Sequence, residues 1–271
     1  MKKMIVVLGL IVAMMSVNAF GVGFIGTPTA ELDQGQWNVG FNYTYMSMDL
    51  AKSKLSASKD GDTGSFKIEI NDNNIQRYYG AIGYGVTDAW EAYVQLGIAD
   101  DKARTKDTIT EDDDDEPDNN WEGHNFDNDF AWGWGTRYTF YEQDNIRWGA
   151  SLQMNWLDSS VDHKDGDEKW QIDYSTYDLL IAVGPTADMG GWNLYGGPFF
   201  YMLDGDLDGK GTEIDGEVTH NYKLSADLEE DGNFGGFVGA QCMVMDKYCL
   251  TTELGFSGGG WAIGAGLSVP F

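Results

Sequence analysis

From residue 37 to the end of the chain, apolar and polar residues alternate in short runs separated by polar stretches. Side chains of a strand point to opposite faces in turn, so a period of two marks strands with one apolar face. The closing run is the cleanest: Trp261, Ile263, Ala265, Leu267, Val269 and Phe271 share one face, and Ala262, Gly264, Gly266, Ser268 and Pro270 the other. Residues 90–99 set Trp90, Ala92, Val94, Leu96 and Ile98 against Glu91, Tyr93, Gln95 and Gly97 in the same way. Reading this period along the chain predicts about ten strands, at 37–48, 77–86, 90–99, 130–140, 146–157, 174–184, 192–203, 234–243, 248–256 and 261–271. Pro198 cannot donate to a ladder, so a bulge is expected near Gly196, Gly197 and Pro198.

The connections alternate between long and polar (about 49–74, 100–129, 158–173 and 204–232) and short, as at Thr87-Asp88-Ala89, Asp188-Met189-Gly190-Gly191 and Met245-Asp246-Lys247. An even set of such segments, ending in an amphipathic strand with a terminal Phe, resembles the bacterial outer-membrane β-barrel proteins over residues 37–271. The resemblance implies an all-β fold: an antiparallel transmembrane barrel of about ten strands, with short periplasmic turns and long extracellular loops, in the cell outer membrane. It further implies that outer-membrane lipid covers the apolar face. The closing set from Trp261 to Phe271 would then be the assembly signal that the barrel-assembly machinery reads.

Upstream, Lys2 and Lys3, the apolar run 4–15 and the small-residue site Val17-Asn18-Ala19 predict a signal peptide over 1–19. Residues 20–36 form an N-terminal segment leading into the barrel at 37–271, and its stretch from Phe24 to Leu32 looks like the corresponding part of some barrels of this kind. No stretch approaches the roughly 20 apolar residues of a membrane helix.

The aromatic residues sharpen the picture. On the outward parity, Trp37, Trp90, Phe140, Trp148, Trp192, Tyr248 and Phe271 fall at the expected periplasmic ends, and Tyr78, Trp132, Trp156, Tyr177, Phe234 and Trp261 at the opposite ends. Two belts about ten residues apart suit the two headgroup levels of a bilayer. A soluble sandwich would place such rings at strand centres instead.

Charge adds a second pattern. With 17 Lys and Arg against 44 Asp and Glu, the formal charge is -27 and mean hydropathy is -0.37, and most acids lie between the alternating runs. Such a chain repels nucleic acid and attracts cations. Within the strands, Arg77, Glu91, Arg137, Arg147, Asp178 and Glu253 all take the inward parity. A lumen charge network is therefore expected, filling a barrel whose interior is little wider than its side chains.

Candidate chemistry beyond this is sparse. The run Glu111-Asp112-Asp113-Asp114-Asp115-Glu116 reads as a solvated acidic block. Asp204, Asp206, Asp208, Thr212 and Asp215, with Gly209 in the sixth place, resemble the ligand spacing of a calcium loop, although position twelve is Asp and helical flanks are missing. A solvated loop gathering divalent cations loosely is the competing reading; no other cofactor is expected. Cys242 and Cys249 flank a turn and could form a disulfide in an exported chain or remain two thiols.

Outer-membrane proteases of the omptin type share the expected strand number and use paired carboxylates with a His-Asp couple. Here His124, His163 and His220 fall in the long polar stretches. Asp162 and His163 are neighbours, which in a strand point to opposite faces, and Ser159 or Ser160 near His163 matches no motif. The chain is not expected to be an enzyme. A structural or surface-interaction barrel with a closed lumen and acidic, cation-gathering loops is expected. A small-solute or ion channel, with Arg137 and Arg147 at an anion-selective constriction, stands second, and a rim-located hydrolase third.

Overall fold

The computed structural model describes residues 24–48, 53–69, 73–101, 108–111, 129–165, 168–215, 218–229, 234–245, 247–258 and 260–271. The expected signal peptide, the acidic residues 112–116 and His124 lie outside them. Among the described residues fourteen strands follow one another: β1 (Trp37–Met48), β2 (Ser53–Lys59), β3 (Asp62–Glu69), β4 (Asn73–Thr87), β5 (Trp90–Asp101), β6 (Thr108–Glu111) and β7 (Asp129–Gln143), then β8 (Ile146–Asp165), β9 (Glu168–Asp188), β10 (Trp192–Asp215), β11 (Val218–Glu229), β12 (Phe234–Val244), β13 (Tyr248–Ser257) and β14 (Gly260–Pro270).

Ten of them close a barrel, in the order β12-β13-β14-β1-β4-β5-β7-β8-β9-β10, with β10 returning to β12. Every adjacent pair is antiparallel, and β14 meets β1 in unbroken register from Asn38 opposite Pro270 to Met48 opposite Gly260. Closure leaves no strand edge bare, which a bilayer demands because it offers no water to unpaired N–H and C=O groups. Two further backbone bonds lock the end of the chain: Trp37 N–H donates to the Phe271 carbonyl at 3.0 Å, and Phe271 N–H to the Trp37 carbonyl at 2.8 Å.

The outward parity faces lipid. Along β5, Val94 and Leu96 are 55% and 58% exposed, while Tyr93 and Gln95 between them are buried. In the closing set Trp261, Ile263, Leu267 and Phe271 are exposed, whereas Ala262, Gly264 and Gly266 are buried. The aromatic belts pair across strands: Trp37 with Tyr84 at 4.8 Å on the periplasmic side, Trp132 stacked on Trp156 at 4.4 Å and Tyr45 with Trp261 at 5.6 Å on the other.

The polar stretches depart from expectation. Residues 158–165 and 168–173 are not loops but strand, continuing β8 and β9 beyond the barrel, as residues 204–215 continue β10, and residues 218–229 form β11. At 24 residues and about 3.3 Å per residue, β10 runs roughly 80 Å. It forks: residues 192–200 pair with β12 inside the barrel wall, and residues 204–215 pair with β11 above it. From β11 the sheet continues through β2, β3 and β6. The reason is alternation hidden under acidity. Leu207, Trp170, Tyr222, Leu224 and Ala226 are buried on the inward face, and Asp204, Asp206 and Asp208 stand exposed on the outward one.

Nor does β10 bulge at Pro198. Its register with β12 is continuous there, Pro198 lying opposite Gly236. Register shifts occur instead between Gly85 and Thr87 and between Thr139 and Tyr141.

Candidate functional site

The lumen is filled in two tiers. In the upper one, Arg77 Nη1 donates to Asp178 Oδ2 at 3.1 Å with both side chains nearly fully buried, 1% and 4% exposed. Asp178 Oδ1 accepts from Asn155 Nδ2 at 2.6 Å, and Asn155 Oδ1 accepts from Gln95 at 2.5 Å and Gln153 at 3.3 Å. Tyr93 O–H donates to Gln153 Oε1 at 2.9 Å. These residues come from β4, β5, β8 and β9, whose inward parity aims them at one another. On the β9, β10 and β12 side the filling is apolar, with Leu180, Phe199, Tyr201 and Phe237 at most 4% exposed. Buried polar groups are stable only when partnered, and this chain of bonds supplies the partners.

The lower tier is a strap. Residues 24–36 fold inside the periplasmic half of the barrel, with Ile25, Thr27, Thr29, Ala30 and Leu32 buried. The segment is not strand, so its backbone groups find no ladder, and wall side chains satisfy them instead. Glu253 accepts the N–H groups of Ile25 and Gly26, each at 3.0 Å, and Tyr195 O–H at 3.2 Å. Thr139 accepts the Ala30 N–H and Glu91 the Glu31 N–H, both at 3.0 Å. Arg147 donates to the Ala30 carbonyl at 2.7 Å and pairs with Glu31 at 3.0 Å. Arg137 pairs with Glu91 at 2.7 Å and lies over the Tyr93 ring. Hydrogen bonds to charged groups contribute about 1.5–3 kcal/mol each, so the strap is held firmly.

Glycines make room for it. A Cβ on Gly149 would lie 2.5 Å from the Pro28 carbonyl oxygen and 2.8 Å from Thr29 Cα, and one on Gly264 would lie 2.5 Å from the Phe24 ring. Gly26 itself, at φ +70°, takes a backbone conformation that favours glycine.

Thus the six inward ionisable residues divide. Arg77 meets Asp178 across the lumen, Arg137 pairs with Glu91 directly opposite it on the neighbouring strand, and Glu91, Arg137, Arg147 and Glu253 all bond the strap. Glu31 was not foreseen in this role, because its segment carries no period that would place it inside.

The remaining sequence candidates fare differently. Asp204, Asp206, Asp208 and Thr212 lie at alternate positions along one face of β10, and Asp215 pairs with Val218 at its far end. Alternate residues of a strand are about 6.6 Å apart, too extended to wrap one cation at oxygen distances of about 2.4 Å. Among the described residues no group of three or more His, Cys, Asp or Glu converges on a metal position. The calcium-loop reading is therefore corrected to an acidic strand face. Cys242 and Cys249 are free. Cys242 lies opposite Leu250 and Cys249 opposite Met243, so the two point to opposite faces and cannot bridge.

Asp162 and His163 fall on β8, not in a loop. A different couple forms at the outer end of the extracellular sheet. His220 Nδ1 lies 2.6 Å from Asp60 Oδ2, and the Asn221 N–H donates to Asp60 Oδ1 at 2.8 Å, clamping the turn between β2 and β3 onto β11. With the partners 160 positions apart, no local motif announces it.

No protein-family profile and no curated protein matches the chain. Solved structures do. The outer membrane protease OmpT of Escherichia coli superposes with a TM-score of 0.50 at 12% identity, over 90% of this chain and 99% of that one. Outer membrane protein OprG of Pseudomonas aeruginosa gives 0.41 at 11%, over 88% and 97%. An outer membrane channel of Pseudomonas putida F1 gives 0.32 at 14%, over 93% and all of that chain. Identities this low speak to fold alone. The closed ten-strand wall and its lipid-facing band, together with the OmpT likeness, make this chain an antiparallel transmembrane β-barrel with the fold of bacterial outer-membrane barrels.

Proposed function

We propose that the protein is a closed-lumen barrel with a structural or surface-interaction role, carrying an extracellular β-sheet as its working surface. The observation that supports this reading most directly is the strap, whose N–H and C=O groups are bonded to wall residues from β5, β7, β8 and β13. A second seal, the Arg77–Asp178 tier, stands above it. An ion path would have to pass both.

The sheet beyond the barrel supports the second half of the reading. Its outward face places Asp206 directly opposite Asp227 and Asp208 opposite Asp173. Like charges so paired are unfavourable for the sheet itself and leave a surface suited to cationic partners or loosely held divalent ions.

Planar-bilayer recording tests the closed lumen. The folded protein is expected to give no steady unitary conductance. Ion-selective steps that shift on Arg137→Gln or Arg147→Gln would overturn the reading in favour of a channel.

A further inference from the structure

Below the strap, on the side of β1, β10 and β12–β14, lies a cavity of roughly 440 Å³. Its mouth is at the periplasmic rim, where Gly191, Met243 and Pro270 border it, and Phe24, Tyr93 and Arg137 line its deeper part. Some residues beside it hold the strap, whereas its wall toward β1, β10 and β12–β14 is polar. There the inward positions carry the carboxamides of Asn38, Asn42, Asn193 and Gln241, the last two bonded to each other at 3.2 Å, and the hydroxyls of Thr251 and Ser268. Packing alone would be served there by small or apolar residues, as at Ala262 and Gly264 higher on β14.

A carboxamide donates and accepts from one planar group, and a hydroxyl does both from one atom. A cavity so lined suits a ligand presenting donors and acceptors together. Anions are disfavoured, since Arg137 and Arg147 are already paired with Glu91 and Glu31. Apolar ligands would strand the amides. A peptide backbone is recognised most readily at a free strand edge, and every wall strand here is paired on both sides. The volume lies at the small end of the range for ligand sites, about 300–1,000 Å³, which suits one or two sugar rings.

We propose that this cavity is a binding site for a neutral saccharide of one or two rings, entered from the periplasmic side. The site lies beneath the seal, so it does not depend on whether the lumen conducts.

Cys249 reports on it, being inward-facing and on the cavity wall. In the full barrel folded in detergent with Cys242→Ser, Cys249 is the only thiol, and its reaction with methyl methanethiosulfonate is followed with and without N,N′-diacetylchitobiose. The sugar is expected to slow the reaction about tenfold at ten times its Kd. Asn42→Leu is expected to abolish that protection, judged against the variant's own sugar-free rate, with folding checked by heat-modifiable gel migration. Asn193→Leu serves the same purpose if the first variant does not fold. No slowing in the parent, equal slowing in a folded variant, or protection by dialanine in place of the sugar would each overturn the proposal.

Discussion

Pro185 on β9 and Pro198 on β10 lie two residues apart in register along one seam of the barrel wall, and each removes an N–H that the facing strand would otherwise receive. The register between the strands holds on both sides, Tyr195 opposite Thr186 and Phe199 opposite Ala182, but pairing is absent over the three residues between. Both prolines keep their places on their other neighbours, Pro185 opposite Trp148 and Pro198 opposite Gly236. The missing donors therefore belong to this seam. The two carbonyls facing the prolines lean onto glycines: a Cβ on Gly184 would lie 1.9 Å from the Gly196 oxygen, and one on Gly197 would lie 2.0 Å from the Val183 oxygen.

Replacing Pro198 with valine is expected to restore a bond to Val183. One such bond contributes about 0.5–1.5 kcal/mol, offset by the looser unfolded chain that follows proline removal, about 0.4–1 kcal/mol. Net stability should change little, so the readout is hydrogen exchange. The new amide at 198 should exchange as slowly as those of neighbouring barrel residues; rapid exchange would mean that the donor points elsewhere.

The Arg77–Asp178 pair is buried on both sides, so removing one partner leaves a charge without its counter-ion. Arg77→Met is expected to destabilise the barrel by about 3–5 kcal/mol. Arg77→Met combined with Asp178→Leu should recover a substantial part of that loss, because neither charge then remains. Urea unfolding from lipid vesicles measures both, and equal losses in the single and double variants would contradict the pairing.

Gly149 tests the strap without touching a charge. Gly149→Val drives a side chain into the backbone at Pro28 and Thr29, an overpacking cost of about 1–3 kcal/mol. Because the barrel wall is continuous there, the strap should yield first. A cysteine placed at Thr29, in a chain with both native cysteines replaced by serine, is expected to react faster with a thiol reagent in this variant than in its Gly149 parent. An unchanged rate would mean that the wall moves instead.

The extracellular sheet carries a pH dependence at its tip. The Asn221 N–H, and after it His220, hold the Asp60 carboxyl below its usual pKa. A carboxyl depressed on folding stabilises the fold above its unfolded value, about 3.9, and loses that contribution as pH falls through the folded value. Protection of the Asn221 amide, corrected for intrinsic exchange, should therefore be level from neutral pH to about 5 and decline below about 4. Asp60→Asn should lower the protection throughout and remove the step.

The ten barrel strands, their faces and both aromatic belts were legible because each rests on a period of two. The inward placement of Arg77, Glu91, Arg137, Arg147, Asp178 and Glu253 followed from the same period, but their partners did not, since registers between distant strands leave no local trace. The cysteine geometry stayed open, because the register across the turn decides it: Val244 lies opposite Tyr248, which sets Cys242 and Cys249 on opposite faces. At Asp204-Gly205-Asp206-Leu207-Asp208 the period was present too, masked by a spacing that imitates a calcium loop. The strap was hidden for a deeper reason: much of its order comes from side chains up to 228 residues away.

That separation dictates a chronology. Glu253, which holds the strap at Ile25 and Gly26, sits on the thirteenth of fourteen strands, and the glycine that accommodates Phe24 sits on the last. On the proposed closed-lumen reading, the strap is expected to lie in place when β14 zips onto β1. Completion of the wall and stoppering of the lumen would then be one event.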